Sequence, residues 1–438
     1  MPTARDLTLR RGPLLAFLIT WLALALWNSA KPLPRGTHIA SQSMRLTESD
    51  VEFLSDSEQP RQILAREIST IGLAEQMIVV DQSPLARELA MGLLARKHAR
   101  PNIKIVVVTD PANEAFGGTP AESLIALERA GVIVARVRLD RLRDSNPLYS
   151  GLWRLLFGWW SDPYDEAPGK FTLRAWARMQ NHKADRRELM VADDGSGGWS
   201  SIVSSADAAI SRAGAALLLH GALARDIAAG ELAIAAWSSD DDRLPAPPSG
   251  IFRGLGSIDA RLLTEGAIGG GLLDAIAAAQ DGDEIRIALH VLGARRIMDA
   301  LEAAAVRGAA VFVLLDANRL PNQASAGELE RESGGRVRIR WRPATAAPMA
   351  SKLLLLTHRR DIWLSLGSAN FTRRELGDLD LEANVELRGP AGSAPARAAL
   401  DHFTRAWASA IDYEKFADDS AALYWRYRMA EATGLGSF

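Results

Sequence analysis

Cysteine is missing from all 438 residues. Its absence excludes a disulfide framework, thiolate zinc sites, a thiol nucleophile and an acylated lipoprotein cysteine. An excess of either charge is missing too, since 51 basic residues stand against 53 acidic ones for a net −2. No overall basic field argues for nucleic acid, which is not an expected partner. Histidine is sparse, with seven residues, and none clusters with Asp or Glu at metal-ligand spacing. No metal and no cofactor is therefore expected. Beyond residue 30 there is no second apolar run long enough to span a bilayer. What remains is ordinary globular material: 48% apolar residues over a length suggesting two or three domains.

The N-terminus departs from this pattern. Arg5, Arg10 and Arg11 precede an uncharged run from Pro13 to Ala30. Helical residues rise about 1.5 Å each, so this run comes close to the ~30 Å hydrocarbon thickness. Trp27 sits where an interfacial aromatic is expected, and the upstream arginines predict a cytoplasmic N-terminus. A cleaved signal peptide is the rival reading, because Leu14 to Leu26 also suits a signal core. Asn28-Ser29-Ala30 is a poor cleavage site, so a retained single-pass anchor is preferred. On either reading the chain after Lys31 is expected outside the cytoplasm.

The expected organisation is an anchor (1–30), a polar linker (31–58), two similar halves (59–240 and 250–412) and a C-terminal helix (413–438). In the first half, a helical pattern through Arg61 to Ala74 leads to a strand at Met77 to Asp81. A second helix ends near Lys97, before a strand at Ile103 to Val108. The second half repeats the order: helix near Leu272 to Ala279, strand Glu284 to Val291, helix Arg295 to Arg307, strand Ala310 to Leu315. Each half continues into two short apolar strands, Leu189 to Ala192 with Ile202 to Ser204, and Leu353 to Leu356 with Ile362 to Leu366. The alternation argues for α/β layers around largely parallel sheets. Between the halves, Ser238 to Asp242 and the Pro/Gly cluster from Pro245 to Gly250 mark a break. Phe416, Leu423, Tyr424, Trp425 and Tyr427 predict a terminal helix packed on the body.

Two local patterns carry chemistry. Ala350-Ser351-Lys352, followed by Gly367-Ser368-Ala369-Asn370, resembles an HxK…GSxN phosphodiesterase motif with alanine in the histidine's place. With Thr109-Asp110-Pro111, Phe116-Gly117-Gly118, Leu142 to Ser150, Gly367 to Arg374 and Leu381 to Val385, the chain resembles a membrane-associated bacterial phospholipase D superfamily member. Such members carry two HKD-type repeats in one polypeptide. The resemblance implies two α/β repeats packed together around one interfacial pocket, and the N-terminal run places a single transmembrane helix before them. For a bacterial protein, the upstream arginines then predict an inner-membrane location with the bulk of the chain on the periplasmic side. In that family one histidine attacks phosphorus and the other protonates the leaving alcohol, without a metal.

Residue by residue, the resemblance places Arg186 and Ala350 at the two histidine positions, Glu188 at the first lysine position and Asp193 at the motif aspartate. Asp207 falls where the first half's asparagine belongs. Alanine cannot form a phospho-enzyme bond, and Glu188 reverses the charge that faces a phosphate. Lys352, Ser368 and Asn370, supported by Glu382, are the candidate phosphate-binding residues. Either they hold a phosphodiester, or the GSAN turn survives for structure with Lys352 paired to an acid such as Glu382. His182 is the one histidine close enough to serve as a displaced nucleophile. His220, His290 and His358 read as satisfied core or surface residues, His358 in a turn, and His38, His98 and His402 as surface residues.

Leu152 to Trp160 concentrates three tryptophans and a phenylalanine. Packed core over the pocket is the preferred placement for it, and a helix in the lipid headgroup region the other. The leading expectation is a membrane-anchored phospholipase D-like protein with degenerate motifs and little or no hydrolysis. Membrane phospholipids are its expected ligands and a protein partner a further contact. An active phosphodiesterase with a non-standard nucleophile and a nuclease-type member are the alternatives.

Overall fold

The computed structural model describes residues 4–56, 61–115, 121–157, 177, 179–205, 214–248, 255–317, 320–343, 350–417 and 420–433. Runs rich in Val, Ile and Leu extend into strands, of which central ones such as Leu189–Asp193 are buried on both faces, as expected of strands with layers on either side. In the first half these are β2 (Val51–Ser55), β3 (Met77–Asp81), β4 (Lys104–Thr109), β5 (Ile133–Arg136), β6 (Leu189–Asp193), β7 (Trp199–Ser204) and β8 (Ala215–His220). They form one sheet in the order β2-β8-β7-β6-β3-β4-β5. The second sheet contains β1 (Met44–Leu46), β9 (Ile258–Thr264), β10 (Glu284–Leu289), β11 (Ala310–Asp316), β12 (Val337–Arg342), β13 (Leu353–His358), β14 (Asp361–Gly367), β15 (Ala383–Pro390) and β16 (Ile411–Asp412). Its order is β1-β9-β15-β14-β13-β10-β11-β12-β16.

The two orders superimpose as repeats. β3, β4 and β5 are parallel neighbours, as are β10, β11 and β12, whereas the remaining pairs are antiparallel. The sheets are therefore mixed, not largely parallel. The short strands that follow each βαβ unit return as hairpins, β6–β7 and β13–β14, and hairpins run antiparallel. The segment expected as a linker holds β1, which pairs with β9, and β2, which pairs with β8.

Helices α2 (Gln62–Leu73), α3 (Arg87–Ala99), α4 (Pro111–Ala115) and α5 (Ala121–Arg129) belong to the first half, and α6 (Pro147–Phe157) follows. α7 (Ala222–Ser238) closes that half. α8 (Gly266–Ala278), α9 (Arg295–Val306), α10 (Leu320–Ser333), α11 (Ala394–Ala408) and α12 (Ala421–Thr433) belong to the second. α9 shows the physical basis: Ile297, Met298, Leu301, Ala304 and Ala305 fall on one buried face at helical spacing. α2, α3 and α5 cover the outside of the first sheet, and α8 and α9 the outside of the second. Between the sheets lies a core that mixes Val191, Leu217 and Ile227 with Leu262, Leu364 and Phe403. α12 docks through buried Leu423 and Tyr427, the latter donating its hydroxyl to the Gly293 carbonyl.

α1 (Ala4–Ala30) stands apart. Its Gly12–Ala30 segment is the one helix among the described residues long and apolar enough to cross a membrane, and little of it is covered by protein.

Candidate functional site

The site lies where the open ends of the two hairpins face the junction between halves. In each half the residue before the first hairpin strand and the residue after the second come together, through registers Leu189–Val203 and Leu353–Leu366. Glu188 and Lys352 thus occupy equivalent positions, as do Ser205 and Ser368. Both serines bond the start of the next strand, Ser205 to Ala215 and Ser368 to Ala383. Asp193 serves the fold: it accepts the backbone N–H groups of Glu75, Gln76 and Met77 at 3.1, 2.8 and 2.6 Å.

A two-residue parallel bridge links the halves directly. Arg186 donates its N–H to the Leu381 carbonyl at 3.0 Å, and Leu381 donates to Ala184 at 2.9 Å. The turn that leads into this bridge carries Asp380, whose carboxylate accepts the Ala184 N–H at 3.1 Å. Asp380 lies 3.5 Å from the Arg186 guanidinium, and Glu375, Glu382 and Asp110 add negative charge around it. Arg186 nevertheless keeps 47% of its side-chain surface open to solvent, whereas the adjacent Arg187 keeps none. Arg186 is therefore an accessible cation at the junction of the halves. Asp380, Arg374, Glu375 and Asp110 were not selected as site residues from sequence.

The other predicted residues have internal partners. Lys352 donates its ammonium to the Ser368 carbonyl and lies near Glu382. Ser368 donates its hydroxyl to Glu382 and accepts from Ala383 N at 3.0 Å. The Asn370 amide accepts from Val291 N at 3.0 Å and donates to Glu375 at 3.2 Å, so it ties the GSAN turn to the end of β10. Burial, reinforced by Glu375, raises Glu382 well above the usual carboxyl range, although Lys352 and Ser368 oppose the shift. Burial pushes Asp110 up to about 6. Asp207, Gly117, Gly118, Trp159 and Trp160 lie outside the described residues.

The histidines separate clearly. His182 adjoins the cleft, where Arg374 bonds its carbonyl at 3.2 Å. Burial, with Arg374 and Arg186 beside it, lowers its imidazole to about 4, so it is neutral at physiological pH. His402 is not a surface residue. It is buried on α11 and bridges Ser55 Oγ (2.8 Å) and Ser351 Oγ (2.9 Å), because the register of α11 turns it onto β2. His358, His290 and His38 contact Asp283, Asp316 and Asp378, at 2.7, 3.3 and 2.6 Å. No group of three His, Asp or Glu among the described residues could hold a metal ion. The preferred core placement of the Leu152 to Trp160 segment also fails for its described part: of α6 only Ser150 and Gly151 are buried.

Residues 272–407 match the family model described as the PLD-like domain of cardiolipin synthase. No curated protein sequence matches the chain. Among solved structures, phosphatidylserine synthase of Haemophilus influenzae Rd KW20 is similar with a TM-score of 0.58 and 12% identity, over 94% of this chain and 98% of that one. Nuc, a phospholipase D family member from Salmonella typhimurium, is 23% identical over 35% of this chain and 98% of its own, with a TM-score of 0.29. Residues 272–407 thus match a PLD-like domain, and the paired sheets share their fold with phosphatidylserine synthase.

Proposed function

We propose that the chain is a membrane-anchored phospholipase D-like protein that binds phospholipid phosphodiester groups with little or no hydrolysis. Its body would lie on the periplasmic side of a bacterial inner membrane. The observation that carries this reading is Arg186, a solvent-accessible guanidinium where the family resemblance places a histidine. A guanidinium pairs with phosphate oxygens in a bidentate fork but cannot attack phosphorus. At the other histidine position, Ala350 offers no nucleophilic atom. Buried acids around Arg186 and Lys352 compete with any phosphate, which favours weak, reversible binding over the firm clamp that turnover needs. The phospholipid class is supported by the named relatives and by the apolar N-terminal helix.

A second reading has one specific observation behind it. His182 is neutral beside Arg374 and Arg186, the protonation state that a phosphorus-attacking imidazole requires. This would make the chain an active phosphodiesterase with a displaced nucleophile.

The test is hydrolysis and headgroup exchange by the full chain in mixed phospholipid vesicles. The parent would be compared with Arg186→Ala, Lys352→Ala, His182→Ala and an Ala350→His, Arg186→His, Glu188→Lys variant. A silent parent whose binding of a soluble phosphodiester headgroup weakens in Arg186→Ala supports the binding protein. Turnover abolished by His182→Ala or Lys352→Ala would replace it with the enzyme.

A further inference from the structure

α8 covers only part of the outer face of the second sheet. Beside it run two adjoining cavities of about 220 and 320 Å³. Trp363, Arg261 and Arg388 line both, so the two form one groove. The strand registers explain the arrangement. Asp259, Arg388, Trp363 and Leu356 stand in one row across β9, β15, β14 and β13, and Arg261 pairs with Glu386 two positions along. The groove sits at the closed end of the β13–β14 hairpin, about one strand length (~20 Å) from Lys352 at its open end. It is therefore separate from the junction that holds Arg186.

One half of the groove is apolar, lined by Ala275 and Ala278 of α8 with Leu356, Ile362 and Trp363 of the hairpin. The charges around it are unbalanced. Asp259, Asp274, Asp361 and Glu386 line the groove against two arginines, Arg261 and Arg388. His358, at the rim, is engaged by Asp283 at 2.7 Å. Asp274 and Asp361 are exposed and have no cationic partner among the described residues, and Asp259 meets Arg45 only at 4.0 Å. A local excess of carboxylates draws cations from solution.

Glu386 is the buried member, only 4% exposed. One of its oxygens accepts from Arg261 Nε at 2.6 Å. The other, Oε1, is buried without a hydrogen-bond partner among the described residues. It lies against Gly271 of α8, so close that no Cβ would fit there, and Gly271 lines the apolar cavity. A buried acceptor left unmatched costs free energy that an N–H donor would recover. Burial raises Glu386 above the usual carboxyl range; Arg261 opposes the shift and Asp274 adds to it. The two carboxylates thus repel each other, and a cation between them would stabilise both.

We propose that this groove binds a small alkylammonium ion, its carbon body against Trp363 and the apolar wall and its N–H groups directed at Asp274 and Glu386. Trp363 contributes twice, since an indole offers apolar area and a π face that attracts cations. A metal ion is a poor match, because no group of three His, Asp or Glu among the described residues could hold one and half of the wall is apolar. An anion would meet four carboxylates, and a neutral compound would leave them unpaired. The proposal depends neither on phosphate binding at the junction of the halves nor on α1 as a membrane span.

The probe is n-pentylamine, with n-pentanol as its uncharged counterpart, each titrated calorimetrically into the full chain in a non-ionic detergent at neutral pH. The expected result is saturable binding of the amine and none of the alcohol. Asp274→Asn alters an exposed side chain and should leave thermal melting unchanged, yet weaken amine binding about tenfold. Trp363→Leu should weaken it by a similar factor through loss of the π face. Equal binding of amine and alcohol would reduce the groove to an apolar crevice and overturn the proposal. An affinity unchanged in Asp274→Asn, or no saturable amine binding by the parent, would overturn it as well. Binding of glycerophosphoethanolamine in place of the free amine would assign the groove to a lipid headgroup, and the proposal would fall.

Discussion

Arg187 offers the sharpest energetic prediction. Its guanidinium is wholly buried and bonds Glu231 at 2.7 Å, Glu265 at 2.6 Å and the Gly36 carbonyl at 2.9 Å. Glu265 also accepts the backbone N–H groups of His38 (2.6 Å) and Glu382 (3.1 Å). One arginine therefore joins the 36–38 segment, α7 of the first half and the second half. Arg187→Met keeps most of the volume and leaves two buried carboxylates without their cation. Removing one partner of such a pair costs about 3–5 kcal/mol, whereas replacing a whole buried ion group by neutral residues is often nearly neutral. The measurement is denaturant unfolding of the full chain in mild detergent, followed by tryptophan fluorescence.

The pH dependence has a definite sign. Burial, then Asp185 and Glu231, raise Asp81 well above the usual carboxyl range; burial also raises Asp185, with Glu231 and Asp110 adding to it, and Arg187 opposes both shifts. Without Arg187 both rise further. A raised folded-state value contributes stability that is present below the unfolded value near 4 and lost as pH increases. The deficit of Arg187→Met should therefore grow between about pH 4 and pH 8, and Arg187→Met with Glu231→Gln and Glu265→Gln should recover most of it. A loss below about 1 kcal/mol, or one that does not change with pH, would refute the reasoning.

Two further outcomes follow from single residues. Burial lowers His402 from 6.5 to about 4, so the stability it supports is present above pH 6.5 and lost as pH falls toward 4. A shift of that size corresponds to about 3 kcal/mol, and His402→Gln should flatten the acid limb of a stability–pH curve measured by thermal unfolding. Gly151→Leu would drive a side chain into the Trp21 backbone, so α6 should separate from α1. Limited proteolysis should then cut within Pro147–Phe157 faster than in the parent, while the melting of the body stays close to that of the parent.

Much of the fold was legible because it is locally encoded. The runs at Met77 to Asp81, Ile103 to Val108, Glu284 to Leu289 and Ala310 to Leu315 are strand-like in themselves, and their order repeats. β8 and β15 were not anticipated. Ala215 to His220 is an unbroken apolar run, which periodicity cannot assign to strand or helix, and β15 pairs with β9, more than a hundred residues away. The mixed character of the sheets follows from the antiparallel hairpins β6–β7 and β13–β14 together with those distant partners. At the site, the residue types at 186, 188, 350 and 352 could be read directly. The acids that surround them could not, since Asp380 meets Arg186 only when a bridge forms between positions 185 and 381.

The sequence by itself determined which chemistry is available: no thiol anywhere, no imidazole at 186 or 350, and one apolar run near the N-terminus. Side-chain composition decides such matters, because no folding pattern can supply an atom that a residue lacks. Only the tertiary structure decided the fates of the neighbours Arg186 and Arg187. The bridge between Asp185 and Leu381 holds the segment so that Arg186 stays open to solvent beside Asp380 while Arg187 enters the core. The pairing of α6 with α1 was decided there too, by contacts across 127 positions such as that from Trp21 to Leu148. Such contacts leave no trace in local periodicity, because the free energy that fixes them is gained only once the chain has closed.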